Sequence, residues 1–204
     1  MNSLSKKQLR TFSDEDLMES FQAGYDEAFD ILVARFKDRL HNFLYRYTHN
    51  HQDCEDLVQE TFLRVYRSKH SYERVAKLST WMYTIALNLA KSLYKKKQRM
   101  QTITIHEDET DPDDQPLKLE DTTILQDDSL HEKMCMNELE KALMQLSENF
   151  REVVILRDIQ QLAYDEIAEI TGLPMGTVKS RINRGRAQLQ ELLEHHVYPE
   201  TISV

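Results

Sequence analysis

Leu162–Leu193, LAYDEIAEITGLPMGTVKSRINRGRAQLQELL, reads as two helices joined by a tight turn. Ile167, Ala168 and Ile170 give the first helix an apolar side, and Gly172-Leu173-Pro174 stops it. Gly most easily takes the left-handed conformation past a helix end, and Pro is tolerated where a new helix begins. In the second helix Val178, Ile182, Gly185, Leu189 and Leu192 are spaced by three or four and share one face. Thr177, Ser180, Asn183, Arg184 and Ala187 fall on the other, flanked by Lys179, Arg181 and Arg186. An apolar back, a short polar front for base edges and lateral cations for phosphates are what a DNA-reading helix needs. An ordinary amphipathic surface helix would share part of this pattern. The short Gly-containing turn favours a helix-turn-helix.

Working outward, the 204 residues allow one or two domains. Four Gly and four Pro in the whole chain argue against an all-β fold, which needs frequent turns. The N-terminus, MNSLSKKQLRTFSDED, has cations but no apolar run behind them, so it is not read as a signal peptide. No apolar run approaches membrane-span length, so membrane insertion is not expected. Cys54 and Cys135 form no paired motif and read as reduced thiols of a cytoplasmic protein.

A net charge of −9 looks wrong for a DNA binder. Counted by segment, residues 1–100 carry 17 Lys+Arg against 13 Asp+Glu, net +4. Residues 101–136 carry 2 against 11, net −9, and residues 137–204 carry 7 against 11, net −4. The acidity is therefore concentrated in the middle of the chain.

Ser13-Asp14-Glu15-Asp16 has the form of a capping box and opens a short helix to about Gln22, broken at Gly24. From Asp26 to about Tyr47, Phe29, Leu32, Val33, Phe36, Leu40, Phe43, Leu44 and Tyr47 recur at helical spacing. After the polar break 48–52, Asp53 is expected to cap a third helix with Leu57, Val58, Phe62, Val65 and Tyr66 inward. A loop spans about Lys69–Leu78. A fourth helix is expected over 79–98, apolar at its start and basic at its end through Lys95, Lys96, Lys97 and Arg99. Residues 100–128 hold two prolines, many carboxylates and no sustained period, and read as an acidic tether without a core. Helices resume near Ser129, with Met134, Leu139, Leu143 and Leu146 along one and Phe150, Val153, Val154, Leu156 and Ile159 along the next. The expected fold class is all-α: a four-helix bundle over 1–99, the acidic linker 100–128, and a helix-turn-helix domain over 129–204.

These residues resemble the small two-domain sigma factors of bacterial RNA polymerase, the extracytoplasmic-function (ECF) class. Asp26-Glu27-Ala28-Phe29 through Arg35-Phe36 is similar to their opening domain-two helix. Asp56-Leu57-Val58-Gln59-Glu60-Thr61-Phe62 resembles their core-polymerase-binding motif. Thr80-Trp81-Met82-Tyr83 with Ile85-Ala86-Leu87-Asn88 and Ala90 resembles their promoter-melting helix. Glu166-Ile167-Ala168, Gly172-Leu173-Pro174, Gly176 through Arg181 and Arg184-Gly185-Arg186 resemble their domain-four reader. The four stretches stand in the family's order and cover nearly all of the chain except the linker and the ends. Two departures stand out. Gly185 replaces the usual Ala at a cost of about 1 kcal/mol of helix propensity, which would leave that helix less rigid. Ser147 stands in for the usual helix-starting Pro as a possible cap.

The resemblance implies roles. Asp56, Gln59 and Glu60 would dock core RNA polymerase, carboxylates meeting arginines. Tyr72, Asn88, Lys91, Ser92 and Lys95 would hold the unpaired strand of the downstream (−10) promoter element, with Tyr72 as a wall for an unstacked base. Ser180, Asn183 and Arg184 would read bases of the upstream (−35) element, and Thr177, Lys179, Arg181 and Arg186 would meet its phosphates. The acidic linker would thread a basic polymerase channel. An anti-sigma protein is the further partner the resemblance raises. The competing reading is a stand-alone helix-turn-helix regulator of duplex DNA, which leaves the Asp56-Gln59-Glu60 face without a task. His49-x-His51-x-x-Cys54 offers three potential ligands but no fourth, and His195-His196 is weaker, so no metal is expected. No nucleotide loop or nucleophile–base pair is visible, so neither cofactor nor catalysis is proposed.

Overall fold

The computed structural model describes residues 6–104 and 127–197, with side chains over 7–100 and 135–194. Every described element is helical: α1 (Lys6–Leu9), α2 (Asp14–Gln22), α3 (Asp26–Thr48), α4 (His51–Arg67), α5 (Leu78–Thr104), α6 (Asp127–Gln145), α7 (Glu148–Val154), α8 (Tyr164–Thr171) and α9 (Met175–Val197). A 3-10 turn, Lys69–Ser71, follows α4, and one π turn, Ile155–Ile159, extends α7. Helices α1–α5 form one bundle and α6–α9 a second. The acidic stretch 105–126 and the side chains of Met134, His195 and His196 lie outside the described residues.

The caps follow local chemistry. Ser13 Oγ accepts from the Asp16 amide at 3.1 Å and opens α2. The cap of α4 is Asn50, not Asp53: His49 ends α3 at φ 51°, and Asn50 Oδ1 accepts from the Asp53 amide at 2.9 Å. Both residues are good caps, and the left-handed turn at His49 decides between them. The start of α5 is capped at long range, where Glu15 on α2 accepts from the Leu78 amide at 3.0 Å. Helix α5 runs to Thr104, beyond the expected end at Gln98, because no Gly or Pro interrupts the lysine run. Ser147 precedes α7 but makes no side-chain cap bond. Tyr66 is not inward: it is 47% exposed, with its ring against Phe21 and Phe29.

Phe21, Phe36, Phe43, Leu32, Leu40, Met82 and Tyr83 fill the first bundle, and Val153, Val154, Leu156, Ile167, Val178 and Ile182 the second. The buried apolar residues form one continuous cluster through both. Polar bonds stitch the seam between them. Tyr47 Oη donates to Glu148 at 2.5 Å. Tyr83 Oη donates to Gln160 Oε1 at 2.6 Å, and Gln160 Nε2 donates to Asn42 at 3.1 Å. Lys77 meets Glu166 at 3.0 Å.

Gly185 is a packing requirement rather than a loose point. A Cβ there would lie 2.7 Å from Val154 Cγ2 and 3.3 Å from Phe150 Cβ, so only glycine lets α9 lie this close on α7. Overpacking costs about 1–3 kcal/mol, whereas removing a helical glycine returns about 1 kcal/mol. Gly185→Ala is therefore expected to destabilise the protein by about 1 kcal/mol net, read as a lower urea midpoint at unchanged slope.

Candidate nucleic-acid interface

The turn between α8 and α9 is set by Gly172 at φ 69°, and Glu166 closes the other end of α8 by accepting from the Ala163 amide at 2.7 Å. Pro174 starts α9, its carbonyl accepting from Thr177 and Val178. Val178 and Ile182 are fully buried, which turns Ser180, Asn183 and Arg184 outward, all exposed. Arg184 makes no ion pair among the described residues. The flanking cations are differently held. Lys179 lies 5.9 Å from the Tyr164 ring centre. Arg181 reaches Asn149 at 3.2 Å and Glu152 at 3.5 Å. Arg186 makes a forked pair with Asp158, Nε to Oδ2 at 3.0 Å, and that bond raises its pKa. Thr177 is half-buried.

On α5, Asn88, Ser92 and Lys95 are exposed, and Ser92 Oγ donates to the Asn88 carbonyl at 2.7 Å. Ser92, Lys95, Lys96, Arg99 and Met100 line a basic depression of about 270 Å³. Lys97 is tied to Asp53. Lys91 turns inward, its Nζ 2.6 Å from Glu152 Oε2. Tyr72 departs from expectation. It is only 5% exposed, its hydroxyl donates to the Ala76 carbonyl at 2.8 Å, and its ring lies 5.4 Å from that of Trp81. Burial pushes its pKa up to about 12. Tyr72 is thus packing under the loop, and its ring offers no open face to a base.

On α4, Asp56 and Gln59 are exposed, Asp56 accepting from Gln52 at 3.2 Å, and Glu60 pairs with Arg64 at 3.1 Å. Beside them lies an apolar groove of about 510 Å³ between α3 and α4, walled by Phe29, Val33, Val58, Phe62, Leu63 and Tyr66. Sequence reading did not single it out. The available signal was Leu63, an apolar residue of α4 outside the stripe read as inward. Cys54 is buried, its thiol against the His41 carbonyl at 3.4 Å, while His49 and His51 are exposed and pack on Tyr45.

Two family models match: Sigma-70 region 2 over residues 32–100 and Sigma-70 region 4 over residues 136–189. Over 92% of its length the chain is 33% identical to the ECF RNA polymerase sigma-E factor of Haemophilus influenzae, covering 96% of that protein. The chain belongs to the ECF sigma factors of bacterial RNA polymerase. It is likewise 33% identical to the ECF sigma factor SigE of Mycolicibacterium smegmatis, over 95% of this chain and 77% of that one. The sigma factor RpoE of Bartonella quintana, solved with the anti-sigma factor NepR, superposes with a TM-score of 0.64 at 28% identity, over 81% of this chain and 96% of that one. As an ECF sigma factor the protein binds core RNA polymerase and directs transcription, a non-catalytic role. The region 2 match removes the stand-alone regulator, which has no use for residues 32–100.

Proposed function

We propose that this sigma factor divides its work among three exposed helix faces, in a polymerase-binding and −10 domain over 1–99 and a −35 domain over 129–204. The observation that carries this reading is that Asp56 and Gln59 on α4, Asn88, Ser92 and Lys95 on α5, and Ser180, Asn183 and Arg184 on α9 all lie open at the surface. The α4 face and its apolar groove dock core polymerase. The polymerase surface that fits them has arginines beside an apolar ridge, since charge sets orientation and apolar burial gives affinity. Asn88 hydrogen-bonds the edge of an unstacked base, and Lys91, Ser92 and Lys95 follow the strand's phosphates and sugars. Ser180, Asn183 and Arg184 read the −35 element, with Thr177, Lys179, Arg181 and Arg186 on its backbone. A protein inhibitor of the kind bound to the Bartonella quintana relative is the natural further partner.

Asp56→Arg/Glu60→Arg is expected to weaken co-purification with core polymerase by roughly tenfold or more, with circular dichroism unchanged because both side chains are at the surface. Wild-type recovery of core enzyme with this variant would remove α4 from the interface. Asn88→Ala is expected to lower open-complex yield while initial promoter binding persists, since it acts on bases only after they unstack. Permanganate reactivity of the opened strand measures this, and wild-type yield would take Asn88 out of the site.

A further inference from the structure

Arg151 on α7 is the one buried cation among the described residues, 8% exposed. A charge taken out of water is ordinarily matched by an opposite one. No carboxylate among the described residues pairs with Arg151. Glu148, in the preceding turn, is near enough to be felt, but its carboxylate takes the Tyr47 hydroxyl. Burial lowers the Arg151 pKa, yet a guanidinium stays protonated at neutral pH. Dipoles alone surround it. A guanidinium carries five N–H donors, and here four go to the carbonyls of Leu143, Tyr47, Met144 and Leu146. One Nη1 hydrogen and the positive charge are left over.

Arg151 lines a cavity of about 350 Å³ between the end of α3, the start of α4, the middle of α5 and the α6–α7 turn. Ligand pockets span ~300–1,000 Å³, so this one suits a small metabolite. Its walls divide by chemistry. Ala90, Leu93 and Met144 are apolar. Tyr94 is close enough to Arg151 for its hydroxyl to act on that charge, and it makes no hydrogen bond among the described residues. At the exposed edge Lys97 is already paired with Asp53, so the two together add no net charge. The cavity thus offers one uncompensated positive charge, two unspent donors and an apolar wall. A single remaining N–H cannot make the forked contact that arginine gives a phosphate. It can serve one carboxylate oxygen, with the Tyr94 hydroxyl serving the other. We infer that this cavity is a binding site for a small organic monocarboxylate, its charged end against Arg151 and Tyr94 and its apolar body on Ala90, Leu93 and Met144. The site is separate from the three helix faces assigned to polymerase and promoter, and its test needs neither.

Sodium octanoate and sodium benzoate are the probes, added to the full chain in a calorimeter. Each is expected to bind saturably, one per chain, and to raise the melting temperature by about 3–6 °C at ten times its Kd. The Arg151 Nε–H resonance should move on titration. Octanamide and benzamide, which keep the apolar body and lose the charge, should bind at least tenfold more weakly. Tyr94→Phe should weaken carboxylate binding roughly fivefold, and Leu93→Trp, which fills the apolar wall, should abolish it. Should Leu93→Trp fail to fold, Tyr94→Phe still decides, since it removes only a hydroxyl from a ring that is 42% exposed. Absence of saturable binding by both carboxylates overturns the inference. So do amides that bind as tightly as the carboxylates, an Arg151 resonance that stays in place, or full affinity in Tyr94→Phe.

Discussion

Arg151→Ala is expected to lower the unfolding free energy by about 3–5 kcal/mol. Arg151 is 8% exposed, and its guanidinium donates to four carbonyls: Leu143 at 2.9 Å, Tyr47 at 3.1 Å, Met144 at 2.7 Å and Leu146 at 2.9 Å. Three close the end of α6 and the turn after it, and the fourth belongs to the last turn of α3. These are carbonyls that a helix end leaves without an internal partner. Removing the guanidinium strands them in a site water reaches poorly, each at about 1–3 kcal/mol before relaxation. Arg151→Lys should recover little, because one ammonium cannot reproduce the planar fork. Urea unfolding of the full chain measures the effect. A loss under 1 kcal/mol for Arg151→Ala would mean that other donors replace it.

The second large effect is on sequence preference. Arg184 is exposed and outside the ion pairs that hold Arg181 and Arg186, so it is free to make a forked contact to a guanine. Such a contact discriminates between bases by about 1–3 kcal/mol. Arg184→Ala in the assembled polymerase should relax preference at one or two base pairs of the −35 element. Arg186→Ala should weaken all sequences alike and flatten the salt dependence by less than the full unit of slope expected for a free cation, since Arg186 must first leave Asp158. Binding to a library of −35 elements at two salt concentrations separates the two. Uniform weakening by both variants would place the groove-facing side elsewhere on α9.

What the sequence disclosed was what short-range chemistry encodes. Gly172 and Pro174 marked the turn, Ser13 marked a cap, and the three-and-four spacing of Val178, Ile182 and Gly185 marked the buried back of α9. The burial of Tyr72 and of Glu152 was hidden for one reason, that it depends on contacts made at long range. Tyr72 stands alone in a loop, where no period says which way it points, and its burial comes from contacts with Gln22 and Trp81 that local pattern cannot show. The short helix α1 is a single turn with too few residues to reveal a period. Glu152 is the clearest case. A carboxylate between Arg151 and Val153 looks like an exposed residue on an amphipathic helix, yet its lysine is 61 positions away. The seam was invisible because nothing within one helix refers to it.

The notch at Gly185 sets the terms on which this reader helix could be exchanged with a relative's. A donor helix carrying Ala at that position would bring a methyl group into Val154 and Phe150 and would be pushed off its seat, tilting the base-reading side chains with it. The opposite graft, this α9 onto a relative shaped for Ala, would leave a methyl-sized void, which a core tolerates better than a collision. Swaps of promoter specificity by helix grafting should therefore succeed in one direction more readily than in the other. Trimming Val154 in the recipient is the change that would make them symmetrical.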